Sequence, residues 1–129
     1  MKKILIVNSN YYPLISKKIL LSAKIELKKF RVKTINAPGI FEIPFLISKN
    51  IGKYDAFLAL GCVIKGETPH FDFISASVTN ALIELTIKYK KPIGNGVLTC
   101  LNRKQAEKRV KKGAEAAKAV IQVLTNEIY

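Results

Sequence analysis

The run Ala56-Phe57-Leu58-Ala59-Leu60 carries no polar side chain on either of its alternating faces. A strand of that kind has to be covered from both sides, because successive side chains point to opposite faces of a sheet. A second solid run, Ile4-Leu5-Ile6-Val7, reads the same way. Arg31–Asn36, which alternates, reads as an edge strand, and Ile93–Leu98 as a fourth strand interrupted by glycines at 94 and 96.

Between these runs lie longer segments whose apolar residues recur at helical spacing. Over Leu14–Lys29 the stripe is Ile15, Ile19, Leu20, Ala23 and Leu27. From Pro69 to about Tyr89 it is Ile74, Val78, Ala81, Leu82 and Leu85. A shorter helix is expected over Ile43–Ile51, with Pro44 in its first turn, where proline is tolerated. Asn102 and Gln105 have the spacing of a capping box for a last helical segment running to the C-terminus, with Gly113 as a candidate break.

Strands alternating with helices imply right-handed crossovers and a parallel sheet covered on both faces. The expectation is one domain over residues 1–129, an α/β chain in three α/β/α layers. Its four-stranded parallel sheet takes the flavodoxin-like order 2-1-3-4. Ligands then sit beyond the C-terminal ends of the strands. The loops Asn10–Tyr12, Ala37–Glu42, Val63–His70 and Leu98–Arg103 would meet at that edge.

Composition narrows the function classes. A 49% hydrophobic, 24% charged chain is a folded one. Its first apolar run ends at Asn8, too short for a signal peptide or membrane span, so no membrane association and a cytoplasmic location are expected. Two cysteines and one histidine cannot build a Cys/His-rich zinc site, and Cys62 and Cys100 are read as buried free thiols. The net charge of +13, from 22 Lys+Arg against 9 Asp+Glu, favours anionic partners. Lysine dominates it, scattered along helices with no arginine-and-aromatic cluster. It is therefore read as a solvated surface, with nucleic acid not expected among the partners; an anionic small substrate would profit from the same field.

The residues with chemical potential fall in the four loops. The third strand is expected over Ala56–Val63, with Gly61 and Gly66 read as glycines through which the chain turns into the helix opened by Pro69. His70, the only histidine, lies in the first turn of that helix and is either structural or a group that takes up and releases a proton near neutral pH. Gly66-Glu67-Thr68 is either an anion seat of free backbone N–H groups or an ordinary cap by Thr68. Tyr11 and Tyr12 suit stacking on a flat heterocycle or packing on the core. Glu42 either bonds a polyhydroxy or amide ligand or caps the next helix. Arg109, one of three arginines, has the fork that suits phosphate, set against the ordinary reading of a solvated charge run.

With these residues laid out, the chain resembles the 6,7-dimethyl-8-ribityllumazine synthase family over nearly its whole length. Two stretches carry the resemblance: Pro38-Gly39-Ile40-Phe41-Glu42-Ile43-Pro44, and Gly61-Cys62-Val63-Ile64-Lys65-Gly66-Glu67-Thr68-Pro69-His70-Phe71-Asp72. Tyr54-Asp55-Ala56, Asn95-Gly96-Val97-Leu98-Thr99 and Lys112-Gly113-Ala114-Glu115-Ala116-Ala117 support it in the same order.

The resemblance implies a transferase of riboflavin biosynthesis. Such an enzyme condenses 5-amino-6-(D-ribitylamino)uracil with 3,4-dihydroxy-2-butanone 4-phosphate and releases phosphate, with no metal or organic cofactor. It implies Tyr11 stacking on the pyrimidine and Ile40, Phe41 and Glu42 lining the ribityl chain. It also implies Cys62, Val63 and Ile64 reading the pyrimidine edge, and Lys112 near a pyrimidine carbonyl. Glu67, Thr68 and Arg109 would hold phosphate, and His70 would transfer the proton. Sites are implied between subunits of a homopentamer, so that Asn95, Leu98 and the last helix come from a neighbour.

Four departures from the family pattern stand out. The usual Arg-Phe-Asn is Asn10-Tyr11-Tyr12, the pocket phenylalanine is Asn95, and the arginine of the glycine turn is Lys65. A glycine-and-lysine turn of shell-forming members is missing between Arg109 and Lys112, which favours a free pentamer and leaves Lys111 to replace its lysine. The alternative function is a lumazine-, flavin- or RNA-binding protein without turnover, motivated by Tyr12, Asn95 and the charge.

Overall fold

A computed structural model describes residues 1–126. The elements alternate: β1 (Lys3–Ser9), α1 (Pro13–Glu26), β2 (Arg31–Ala37), a single 3-10 turn (Ile40–Glu42) running into α2 (Ile43–Lys49), β3 (Ala56–Ile64), α3 (His70–Tyr89), β4 (Ile93–Cys100), α4 (Arg103–Lys108) and α5 (Lys112–Thr125). All strand pairs are parallel, in the order β2-β1-β3-β4. Ile4 stands between Val32 and Ala56, and Cys62 lies beside Leu98. This is the expected three-layer arrangement.

The alternation of side chains divides the core in two. Ile4, Ile6, Ala56, Leu58, Leu60 and Cys62 face α1, α4 and α5, meeting Ile15, Ile19, Ala106, Ala117 and Val120. Leu5, Val7, Phe57 and Ala59 face α2 and α3, meeting Ile43, Ile47, Val78 and Leu82. Each fully buried Leu, Ile or Phe contributes about 1.5–3 kcal/mol of transfer free energy. The two sheet faces, not any loop, therefore set the stability of the platform beneath the strand ends.

Four glycines differ from their expected roles, all for one reason. Gly61 makes no turn; it lies inside β3, within the expected Ala56–Val63 bounds, where a Cβ would stand 2.9 Å from Ser9 Cβ and 3.1 Å from Ile40 Cγ2. Gly94 and Gly96 do not interrupt β4, which continues to Cys100. Their missing side chains admit Leu58 and Leu60 of β3 and the packing of α5.

Gly113 does not break the last helix either. The break comes earlier, at Arg109–Lys111, and Gly113 is the second residue of α5. There its Cβ would collide with the main-chain carbonyl of Ile19 in α1. Each of these positions is a close approach between segments distant in sequence.

Local signals account for the remaining ends. Asn102 Oδ1 accepts from the Gln105 N–H at 2.9 Å, and Gln105 Oε1 reaches back to accept from the Leu101 N–H at 2.8 Å, one residue earlier than in the standard capping box. Pro13 and Pro44 open α1 and α2. α1 and α2 stop at Glu26 and Lys49, short of the expected Lys29 and Ile51. The expected extension of the last helix to the C-terminus concerns residues 127–129, which lie outside the described ones; α5 ends at Thr125.

Candidate active site

The loop after β1, the C-terminal end of β3, the 3-10 turn and the start of α3 enclose a hollow of about 330 Å³. Tyr11, Tyr12, Gly39, Ile40, Phe41, Glu42, Cys62, Val63, Ile64, His70 and Ile74 line it. Eight of the residues expected at the site, Tyr11, Ile40, Phe41, Glu42, Cys62, Val63, Ile64 and His70, thus share one cavity. Parallel strands deliver their C-terminal loops to one edge, and Gly61 lets the 3-10 turn close down on β3 there.

Tyr11 is 68% exposed, so it is not a core residue, whereas Tyr12 is half-buried and packs on the α1 side of the core. Their rings meet edge-on, with centroids 5.1 Å apart and planes at 76°. Glu42 occupies the cap position of α2 without its side chain making a cap bond. Its Oε1 lies against Gly39, where a Cβ would stand at 3.3 Å. The carboxylate is left for the hollow.

Cys62 and Cys100 are buried free thiols, as expected. Burial first, and then the neighbouring Cys100, pushes the Cys62 thiol up to about 11, while Arg103 pulls the other way. A neutral thiol of this kind is a small apolar wall and a poor nucleophile.

Glu67 and Thr68 are exposed and lie outside this cavity, in the short loop that leads to His70. Thr68 Oγ1 accepts from the His70 N–H at a long 3.4 Å, a weak version of the expected cap. The N–H groups of Gly66, Glu67 and Thr68 donate to no backbone carbonyl among the described residues. A Cβ on Gly66 would meet nothing within 4 Å, so the loop is open to a close-approaching anion.

Asn95, Arg109 and Lys112 stand elsewhere. They line a second hollow of about 500 Å³ over the end of β4, with Ser75 and Thr79 of α3 and with Lys108, Lys111 and Glu115. Ile40 is the one residue that lines both cavities. Four cations against one carboxylate make the second hollow an anion-attracting surface. Asn95 Oδ1 accepts from the Val97 N–H at 3.0 Å on the free edge of β4, which leaves its amide NH₂ for a partner.

Nothing in the local sequence singles out Lys108, Ser75 or Thr79. The two α3 hydroxyls are spaced i, i+4, a signal shared by any polar helix face. Among the described residues no three His, Cys, Asp or Glu side chains gather in a way that could hold a metal ion.

A family model described as 6,7-dimethyl-8-ribityllumazine synthase matches residues 1–127. The chain belongs to the 6,7-dimethyl-8-ribityllumazine synthase family. Relatives bearing that name match it over most of its length. The protein from Aliarcobacter butzleri is 38% identical, covering 95% of this chain and 86% of its own. That from Sulfurovum sp. is likewise 38% identical, over 95% and 86%. That from Bartonella tribocorum is 41% identical, over 92% and 85%. In this lumazine synthase family member, the segments Pro38–Pro44 and Gly61–Asp72 supply eight of the eleven residues that line the first hollow.

Proposed function

We propose that this chain condenses 5-amino-6-(D-ribitylamino)uracil with 3,4-dihydroxy-2-butanone 4-phosphate to 6,7-dimethyl-8-ribityllumazine, releasing phosphate, in a cytoplasmic homopentamer with sites between subunits. The observation that carries this reading is the division of the expected residues between two hollows of one chain. Tyr11, Glu42, Cys62 and His70 lie in one, and Asn95, Arg109 and Lys112 in the other. A second copy docked along β4 would bring the basic hollow of one subunit against the aromatic hollow of the next.

Exposed apolar surface supports assembly. Phe73, Ile83 and Ile87 of α3 are 67%, 56% and 70% exposed, and Phe41 and Phe45 are similarly bare. Apolar patches of this kind on a folded chain mark surfaces that bury on association. The missing turn between Arg109 and Lys112 favours a free pentamer over a shell. No helix among the described residues is long and apolar enough to cross a membrane.

The chemistry asks for positioning, proton transfer and charge compensation. Tyr11 offers a face to the pyrimidine, and the ends of Cys62, Val63 and Ile64 offer backbone groups to its edge. Glu42 accepts from ribityl hydroxyls. The free amides at Gly66–Thr68 and the Arg109 fork hold the phosphate as it leaves. His70 carries the proton between the reacting amine, the carbonyl and the departing water.

Lumazine formation from the two substrates, followed by absorbance, tests the reading. Turnover by a species with the mass of five chains is the expected result. Absence of product with both substrates present would overturn the assignment.

A further inference from the structure

We propose that Tyr12 is a positioning residue for the pyrimidine substrate, acting through the ring of Tyr11. This rests on the functional reading above and assigns work to a residue that the family pattern, with its asparagine here, does not supply.

The two rings have opposite surroundings. Tyr11 stands 68% exposed at the rim of the first hollow, so little in its own subunit holds it. Tyr12 lines the same hollow but packs against the core cluster that contains Cys62 and Cys100. The 5.1 Å, 76° edge-to-face contact passes that fixity on to Tyr11.

The loop carrying the pair is tied at both ends. The Asn10 N–H donates to the Ala37 carbonyl at 3.3 Å. On the other side the Tyr12 carbonyl accepts from the Ser16 N–H at 2.9 Å, and Pro13 begins α1. Ser16 Oγ donates to the Ser9 carbonyl at 2.6 Å and locks that helix start onto the end of β1.

The phenol of Tyr12 stays neutral. Burial, followed by the proximity of Tyr11 and Cys62, raises its pKa, with Arg103 opposing. Its role is therefore that of an uncharged wall. A flat heterocycle resting on Tyr11 takes its tilt from Tyr12. Without Tyr12 the Tyr11 side chain must be ordered at each binding event, and that cost falls on pyrimidine affinity.

The test is steady-state kinetics on the assembled enzyme with Tyr12→Leu, Tyr12→Phe, Tyr11→Ala and the Tyr11→Ala/Tyr12→Leu pair. Tyr12→Leu should raise KM for the pyrimidine about threefold to tenfold, the range of an aromatic pair, with KM for the phosphate substrate within about twofold. Tyr12→Phe should restore the wild-type value. In the Tyr11→Ala background, Tyr12→Leu should add nothing, because the interaction it removes is already gone.

An unchanged pyrimidine KM in Tyr12→Leu overturns the proposal, as does a full effect in the Tyr11→Ala background. Tyr12→Phe as poor as Tyr12→Leu also overturns it, by placing the role in the hydroxyl. Tyr12→Met, ringless but filling the space, replaces Tyr12→Leu if that variant does not fold, with the same expectations. A wild-type protein without turnover would sink the functional reading itself and this inference with it, whereas an active wild type with indifferent Tyr12 variants sinks only the inference.

Discussion

Gly113 lets α5 lie so close to α1 that a methyl group in its place would collide with the main-chain carbonyl of Ile19. Ser22 works at the same contact. Its Oγ lies 2.8 Å from the Ile19 carbonyl and 3.0 Å from that of Val110, either of which its proton serves, and it accepts from the Ala114 N–H at 3.0 Å. The chain leaves α4 and restarts as α5 at this point, between Arg109 and Lys112. The helix–helix contact therefore sets where the basic hollow stands.

Gly113→Ala should destabilise the fold by about 1–3 kcal/mol, the usual cost of overpacking. It should also raise KM for the phosphate substrate, because Arg109 and Lys112 move with the start of α5. Thermal melting and kinetics on one preparation check both effects. Unchanged melting would contradict the close approach.

Gly61→Ala should act on the other hollow. The added Cβ would stand 2.9 Å from Ser9 Cβ and 3.1 Å from Ile40 Cγ2, so both Ser9 of β1 and Ile40 have to give way. A loss of about 1–3 kcal/mol in stability is expected. A raised KM for the pyrimidine should accompany it, since Ile40 lines that cavity.

The glycines also mark what the local sequence does not determine. The solid apolar run of β3 left no arrangement except a strand covered on both faces, and the alternation of elements implied a parallel sheet, for which β2-β1-β3-β4 was the simplest order. A glycine in sequence signals only that a Cβ is unwelcome. Whether that reflects a turn or a close approach depends on Leu58 and Leu60 beside Gly94 and Gly96, or on Ile19 beside Gly113, all remote in the chain. The loops holding Tyr11, Glu42 and His70 were legible as one edge because parallel topology brings them there. The separation of the last helix, with Arg109, from His70 was expected only through the family resemblance, and the bracing of Tyr11 by Tyr12 depends on a distance and an angle that spacing does not carry.

Alkaline pH should weaken the fold through Cys62. Burial, ahead of Cys100, pushes its thiol up to about 11, whereas in an unfolded chain it ionises near pH 8.5. The stability owed to the neutral thiol is complete below the unfolded value and is lost as pH rises through the folded one, because the unfolded state releases its proton first. Melting temperatures of the wild type should fall more steeply from pH 9 to 11 than those of Cys62→Ala, which carries a constant cavity cost instead. Parallel curves would contradict this.

His70→Ala should lower kcat while leaving pyrimidine binding largely intact, since a proton carrier acts mainly in the transition state. Arg109→Ala should chiefly raise KM for the phosphate substrate. Exchange of these two effects between the variants would contradict the assigned roles.

Mixing those two variants tests the central claim, that each site takes Tyr11 and His70 from one subunit and Arg109 from its neighbour. His70→Ala and Arg109→Ala chains are denatured, combined in equal amounts, refolded and assayed at a phosphate-substrate concentration where each alone is nearly inactive. Random assembly of a cyclic oligomer gives intact residues to about one quarter of the interfaces, so about one quarter of wild-type activity should return. Activity that stays at the level of the separate variants would place both residues in a site within one chain and contradict the account.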